Sequence, residues 1–219
     1  MRKLLIPFLL ISASAAYGAD WSVGIASGPF VFGDFAKRNL RIQTETGSAE
    51  QTTTLSAATR AGIAVDLERS FSERFAVRVE GAFTRAPLVI KGNDDDGVSL
   101  NAGDVDITTL GLPLVYRINP RGTFRFHLHA GPSYASYRIN RRDNASSSIR
   151  LFRGTRASWG VAFGGGADWH LSDRFAIEAR LTDIATESPF RESEMSAIGS
   201  TEFPRPHNVH TMIGIRYGF

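Results

Sequence analysis

Cysteine is absent from all 219 residues, which excludes a disulfide framework, a thiolate metal site and a cysteine nucleophile. Lysine is nearly absent too: after Lys3 only Lys37 and Lys91 occur, and arginine carries the remaining positive charge. Long apolar runs are missing beyond the N-terminal stretch, so no later segment could cross a bilayer as a helix, which takes about 20 apolar residues. Helical periodicity is weak throughout, which argues against a helical bundle. A strong charge imbalance is missing as well. With residues 1–18 set aside, 23 basic residues face 22 acidic ones; the sequence pI of about 9.5 therefore gives no reason to expect a nucleic-acid partner.

What is present begins with MRKLLIPFLLISASAAYGAD. Arg2 and Lys3 precede a short apolar core, Leu4 to Ile11, and small residues follow around Ala13 to Ala19. This layout predicts a secretory signal peptide over 1–18, cut near Ala16-Tyr17-Gly18, and a single mature domain over 19–219. The arginine bias has its own meaning. Guanidinium keeps its charge when desolvated and pairs in a planar fork with carboxylate or phosphate, which favours internal ion pairs or phosphate contacts.

The dominant pattern is period-two alternation, interrupted by stretches rich in Gly, Asn, Asp and Ser. It predicts strands near 21–32, 54–68, 74–85, 105–117, 123–138, 156–170, 174–184 and 210–219. A phase change, read as a bulge, is expected near Gly28-Pro29. In the second strand Leu55, Ala57, Ala61, Ile63, Val65 and Leu67 share a face opposite Arg60, Asp66 and Glu68. In the last, Ile213, Ile215, Tyr217 and Phe219 alternate with Gly214, Arg216 and Gly218. Connections alternate between brief turns and polar stretches of roughly 20 residues. Two brief-turn segments nearly repeat, SERFAVRVE at 72–80 and SDRFAIEAR at 172–180, which suggests equivalent hairpins of one sheet.

Such strands fit a soluble sandwich, with the apolar face buried between sheets, or a membrane barrel, with that face turned to lipid. The polar faces mix charge with glycine and alanine, as a narrow lumen requires. Trp21, Phe75, Tyr116, Phe124, Trp169, Phe175, Tyr217 and Phe219 cluster where strands meet the short turns, as an interfacial girdle would. Together with the short and long connections, this predicts an all-β fold: an eight-stranded antiparallel transmembrane up-and-down barrel with periplasmic turns and long extracellular loops. The signal peptide, WSVGIASG, GGGADWHLSDRFAIEARL and NVHTMIGIRYGF resemble the small eight-stranded outer-membrane barrels of the opacity-protein and OmpX/OmpA-like group. The resemblance spans the mature chain and implies a Gram-negative outer-membrane location. It also implies that Tyr217 and Phe219 form a signal for the insertion machinery.

Eight strands leave an interior just wide enough for side chains to fill. The inward charges Arg60, Asp66, Arg78, Glu80, Arg125, Asp168, Glu178, Arg180 and Arg216 are therefore expected to form a plug of ion pairs in preference to a pore lining. His127 and His129 project from one strand face. They could bind a metal or serve as a base beside Ser133 or Ser158, but hydrogen bonding inside the plug is the expectation. Asp94-Asp95-Asp96-Gly97 lacks the spaced ligands of a calcium loop and reads as a solvated turn. The third long loop carries Arg138, Arg141, Arg142, Arg150, Arg153 and Arg156 against Asp143 alone. At an outer-leaflet surface these would face lipopolysaccharide phosphates. The sequence thus predicts a monomeric, non-enzymatic surface barrel without a cofactor. Its expected partners are outer-membrane lipid, lipopolysaccharide and a host or cell-surface ligand; a narrow pore or a lipid-A hydrolase is the alternative.

Overall fold

A computed structural model describes residues 21–44, 47–92, 99–141, 154–190 and 200–219. The strands are β1 (Trp21–Phe32), β2 (Asp34–Thr44), β3 (Gly47–Ala57), β4 (Arg60–Ser70), β5 (Phe75–Gly92) and β6 (Ser99–Gly111). They continue as β7 (Leu114–Arg117), β8 (Phe124–Arg141), β9 (Gly154–His170), β10 (Phe175–Thr186), β11 (Ser200–Glu202) and β12 (His207–Gly218). All pairings are antiparallel, and no helix occurs among the described residues.

The sheet closes on itself. β1 pairs with β4, β4 with β5, β5 with β6 and β7, and both of these with β8. From β8 the ladder runs through β9 and β10 to β12, which returns to β1. Since β6 and β7 form one stave, broken at Leu112 and Pro113, the ring has eight members. Closure leaves no unpaired edge on the ring, the solution antiparallel sheets use to avoid open strand edges.

Alternation separates two chemistries along every stave. Ile25, Val65, Val79, Leu110, Leu128 and Ile213 point outward and are each more than half exposed. Their neighbours Ala26, Ala64, Asp66, Arg78, Glu80, Thr109, His127, His129 and Met212 are buried inside. At the short-turn end the outward aromatics pair off, with ring centroids 5.3 Å apart for Phe75 and Tyr116, 5.8 Å for Phe124 and Trp169 and 5.0 Å for Phe175 and Tyr217.

The repeated turn segments fold alike. Ser72 Oγ accepts the N–H groups of Arg74 (3.3 Å) and Phe75 (3.1 Å), and Ser172 Oγ accepts those of Arg174 (3.3 Å) and Phe175 (3.1 Å). Each serine thus closes a local turn with its own hydroxyl, launching β5 and β10 in the same way.

Several sequence expectations need correction at the long-connection end. The first long connection is no loop: β2 and β3 form a hairpin, and β3 continues onto β5. The expected strand 54–68 is therefore two strands, with Ala58 and Thr59 between them. Leu55 and Ala57 are buried and do not share the outward face of Ala61 and Ile63. No bulge lies at Gly28-Pro29, because β1 stays in continuous register with β4 from Trp21 to Phe30. What changes at that level is the interior, where Phe30 and Phe32 turn inward. The expected signal peptide at 1–18 and the acidic turn at 94–97 lie outside the described residues.

Candidate functional site

The interior has two zones. Nearest the short turns, β1, β4, β5, β8, β9, β10 and β12 contribute a charged cluster. Arg78 is 1% exposed; it donates through Nη2 to Glu68 Oε2 at 2.7 Å and through Nη1 to Glu178 Oε1 at 2.9 Å. Arg216 Nη2 reaches Asp66 Oδ1 and Glu178 Oε2, both at 2.8 Å, and its Nη1 donates to Ser22 Oγ at 3.0 Å. Arg180 Nη1 lies 3.3 Å from both Asp66 Oδ2 and Glu80 Oε2. Each carboxylate therefore serves more than one guanidinium or sits beside another that does. Such sharing offsets the desolvation that makes a lone buried charge so costly.

Glycine makes room for this density. A Cβ at Gly24 would sit 2.7 Å from Asp66 Oδ2, and one at Gly166 would sit 2.8 Å from the His127 ring. His127 lies between two carboxylates, Nδ1 3.4 Å from Asp168 Oδ2 and Nε2 3.6 Å from Glu178 Oε1. His129 Nε2 meets Thr182 Oγ1 at 3.0 Å. His127, Asp168 and Glu178 have metal-ligand chemistry and lie close enough together to share an ion. Yet Glu178 Oε1 is already held by Arg78, and a divalent cation there would stand among guanidinium groups. Neither imidazole engages the expected serines. Ser158 Oγ instead accepts the Glu187 N–H at 3.0 Å, and Ser133 is buried.

The structure brings together Asp66, Arg78, Glu80, Glu178, Arg180 and Arg216, with Asp168 joining through His127. Arg60 and Arg125 stay outside. Arg60 begins β4 at the far end and is exposed, because its inward direction at that level is filled by Phe30. Arg125 is half-buried at the short-turn mouth, where its Nε donates to the Gly122 carbonyl at 3.3 Å. Two members lie beyond the expected set of plug charges. Glu68, on the polar face beside Asp66, accepts from Arg78, Arg117 and Arg216. Arg117 also donates to Ser70 Oγ at 3.0 Å. Its offset of two from Val115, an inward position, was the available signal.

Above the charged zone the interior turns apolar. Phe30, Phe35, Leu88, Ile107 and Tyr137 are fully buried. Phe30 lies against His210 with ring centroids 3.9 Å apart, and Phe35 packs against Tyr137 at 5.7 Å and Phe190 at 6.0 Å. The segment after β10 folds over this zone: Ser188 Oγ donates to the Phe35 carbonyl at 2.7 Å, and the Phe190 N–H donates to Ser188 Oγ at 3.2 Å. A filled, closed eight-strand ring with an apolar exterior is the arrangement of a small membrane barrel.

Residues 4–216 match the family described as outer membrane protein beta-barrel domain. The chain belongs to this family. Its fold also resembles that of the outer membrane protein OprG of Pseudomonas aeruginosa, 15% identical, covering 92% of this chain and 96% of that one with a TM-score of 0.58. The outer membrane protein AlkL, determined in lipid bilayers, is 15% identical over 92% of this chain and 90% of its own, with a TM-score of 0.55. No curated protein matches the sequence. Of the arginines expected on the third long loop, Arg138 is exposed and Arg156 half-buried, Arg141 ends β8, and Arg142, Arg150 and Arg153 lie outside the described residues. Tyr217 lies near the end of the closing strand β12, and Phe219, 65% exposed, follows it and exchanges backbone hydrogen bonds with Trp21.

Proposed function

We propose that this outer-membrane barrel is a monomeric, non-enzymatic surface protein. Its short turns lie in the periplasm, and its long connections meet anionic groups of the envelope or of a host surface. The filled interior carries this reading, because ion pairs below and aromatic rings above leave the lumen no role as a conduit. The histidines support a non-catalytic role: they are spent inside on Thr182 and the carboxylates and do not face the membrane surface. In the proposed orientation Arg138 stands just beyond the apolar exterior, Arg141 ends β8, and the connection after it carries Arg142, Arg150 and Arg153.

Guanidinium groups at that height would pair with sugar phosphates or sulfates in charge-assisted forks. Neutralising Arg141, Arg142, Arg150 and Arg153 to glutamine is expected to weaken binding to lipopolysaccharide and heparin while leaving heat-modifiable migration intact. Binding should also fall as salt rises, with a screening length of about 8 Å at physiological strength. Parent-level binding by the fourfold variant at low salt defeats the proposal. Single-channel recordings in planar bilayers test the closed lumen, and sustained conductance would revive the pore. Deleting Phe219 should lower the amount recovered in outer-membrane fractions if Tyr217 and Phe219 act as the insertion signal.

A further inference from the structure

The charged cluster does not reach the end of the barrel. Between it and the short turns lies an open vestibule of about 860 Å³. Arg69, Arg117, Arg121, Arg125, Arg174 and Arg216 line it, opposed by Glu68, Glu73, Asp168 and Asp173. The acids are not equally available. Glu68 is shared by Arg78, Arg117 and Arg216, and Glu73 is held by Arg121 at 2.9 Å. What faces the open space is thus an excess of guanidinium. Arg69 is fixed over the rings of Trp21 and Phe71, 5.5 Å from each centroid, and Arg125 spends one N–H on a backbone carbonyl.

We propose that this vestibule binds a compact polyanion carrying phosphate groups. Its arginines come from separate walls: β4, β7, the β7–β8 turn, β8, the β9–β10 turn and β12. A planar carboxylate offers two oxygens to donors in its own plane. A phosphoryl group presents three oxygens in a tetrahedral array and can accept from guanidinium groups arriving from several sides, and a diphosphate doubles that capacity. The volume lies within the range of small-molecule sites, roughly 300 to 1,000 Å³, so a diphosphate or a phosphorylated sugar would fit with room for its remainder. Phosphate chemistry here has two sources, a free solute or a lipid headgroup. The inference is independent of the loop-arginine proposal, since it concerns the opposite end of the barrel.

The test uses the full chain refolded in detergent, with heat-modifiable migration confirming closure, titrated with pyrophosphate by calorimetry at low ionic strength. Saturable binding is expected, weakened by about tenfold or more in the Arg125→Gln/Arg174→Gln double variant, since each charge-assisted contact is stronger than a neutral one. Arg85→Gln, at the far end and 61% exposed on its side chain, should bind as the parent does. Absence of binding, an unaffected double variant, an equal loss in Arg85→Gln, or equally tight binding of citrate overturns the proposal. Repeating the titration in nanodiscs separates the sources. Loss of pyrophosphate binding in phosphatidylglycerol discs but not in phosphatidylcholine discs assigns the site to a headgroup, and retention in both assigns it to a solute.

Discussion

The two halves of the barrel interior solve one packing problem with opposite materials. Near the short turns Arg78, Glu178, Arg216 and Asp66 fill the ring with paired charge. Near the long connections Phe30, Phe35, Tyr137 and Ile107 fill it with apolar bulk. Apolar filling needs only volume and shape, whereas charged filling needs every partner in place. The difference predicts that the lower half fails abruptly and cooperatively when altered, and the upper half in proportion to what is removed.

The largest effect is expected at Arg78. Arg78→Met removes a guanidinium that Glu68 and Glu178 share, leaving the buried cluster with uncompensated negative charge, and should cost about 3 to 5 kcal/mol in urea unfolding from liposomes. A loss near zero would mean that water solvates the cluster, and the contrast between the halves would collapse. Phe35→Ala should cost about 3 kcal/mol through the cavity it leaves. This loss should be indifferent to salt, so a salt-dependent loss at Phe35 would blur the distinction. Next comes a coupling measurement. Glu80 and Arg180 meet at 3.3 Å, so Glu80→Leu combined with Arg180→Met should cost less than the sum of the singles, by about 1 to 3 kcal/mol. Simple additivity would show that the pair is not a unit.

The smallest effect lies outside both halves. The exposed Glu73 carboxyl is held below the ordinary carboxylate range by hydrogen bonds from Arg121 and by its charge. A depressed folded value means that the stability it adds is present above the unfolded value and is lost as pH falls through the folded one. The small difference between the parent and Glu73→Gln should therefore be seen near neutral pH and vanish in acid. A difference that grows in acid would reverse the assignment.

Much of this was legible because a closed barrel is a local code: each outward Val, Ile or Leu announces its face two residues at a time. Strand positions near the short turns follow closely, as do the inward directions of His127 and Glu178. Legibility fails toward the long connections. GSAEQTT, the first part of β3, is polar and reads as a loop, yet it pairs along its length with RNLRIQT of β2, because ladder hydrogen bonds need no apolar face. Arg60 sits in phase with Asp66 but not at its height, and alternation reports direction only. Glu68 and Arg117 lie beyond the expected plug for a related reason. Their partners come from neighbouring staves, and lateral proximity around a ring is set by register, which one strand's sequence does not contain.

The twin turns bear on one more property. Ser72 and Ser172 launch RFAVRVE and RFAIEAR, in which arginine and glutamate exchange places at equal distances from the serine. Three staves lie between β5 and β10 around the ring in either direction, so the two segments confront each other across the lumen. Arg78 meets Glu178 at 2.9 Å, and Glu80 lies 3.3 Å from Arg180, which also neighbours Asp66 and Glu178. A slip of one segment by two residues would keep every apolar side chain outward and leave the ladders intact. It would also set arginine opposite arginine, or glutamate opposite glutamate, among side chains that are almost wholly buried. The pair of hairpins therefore works as a matched lock and counter-lock, letting the chain reject a mis-threaded ring that its hydrophobic pattern alone would accept.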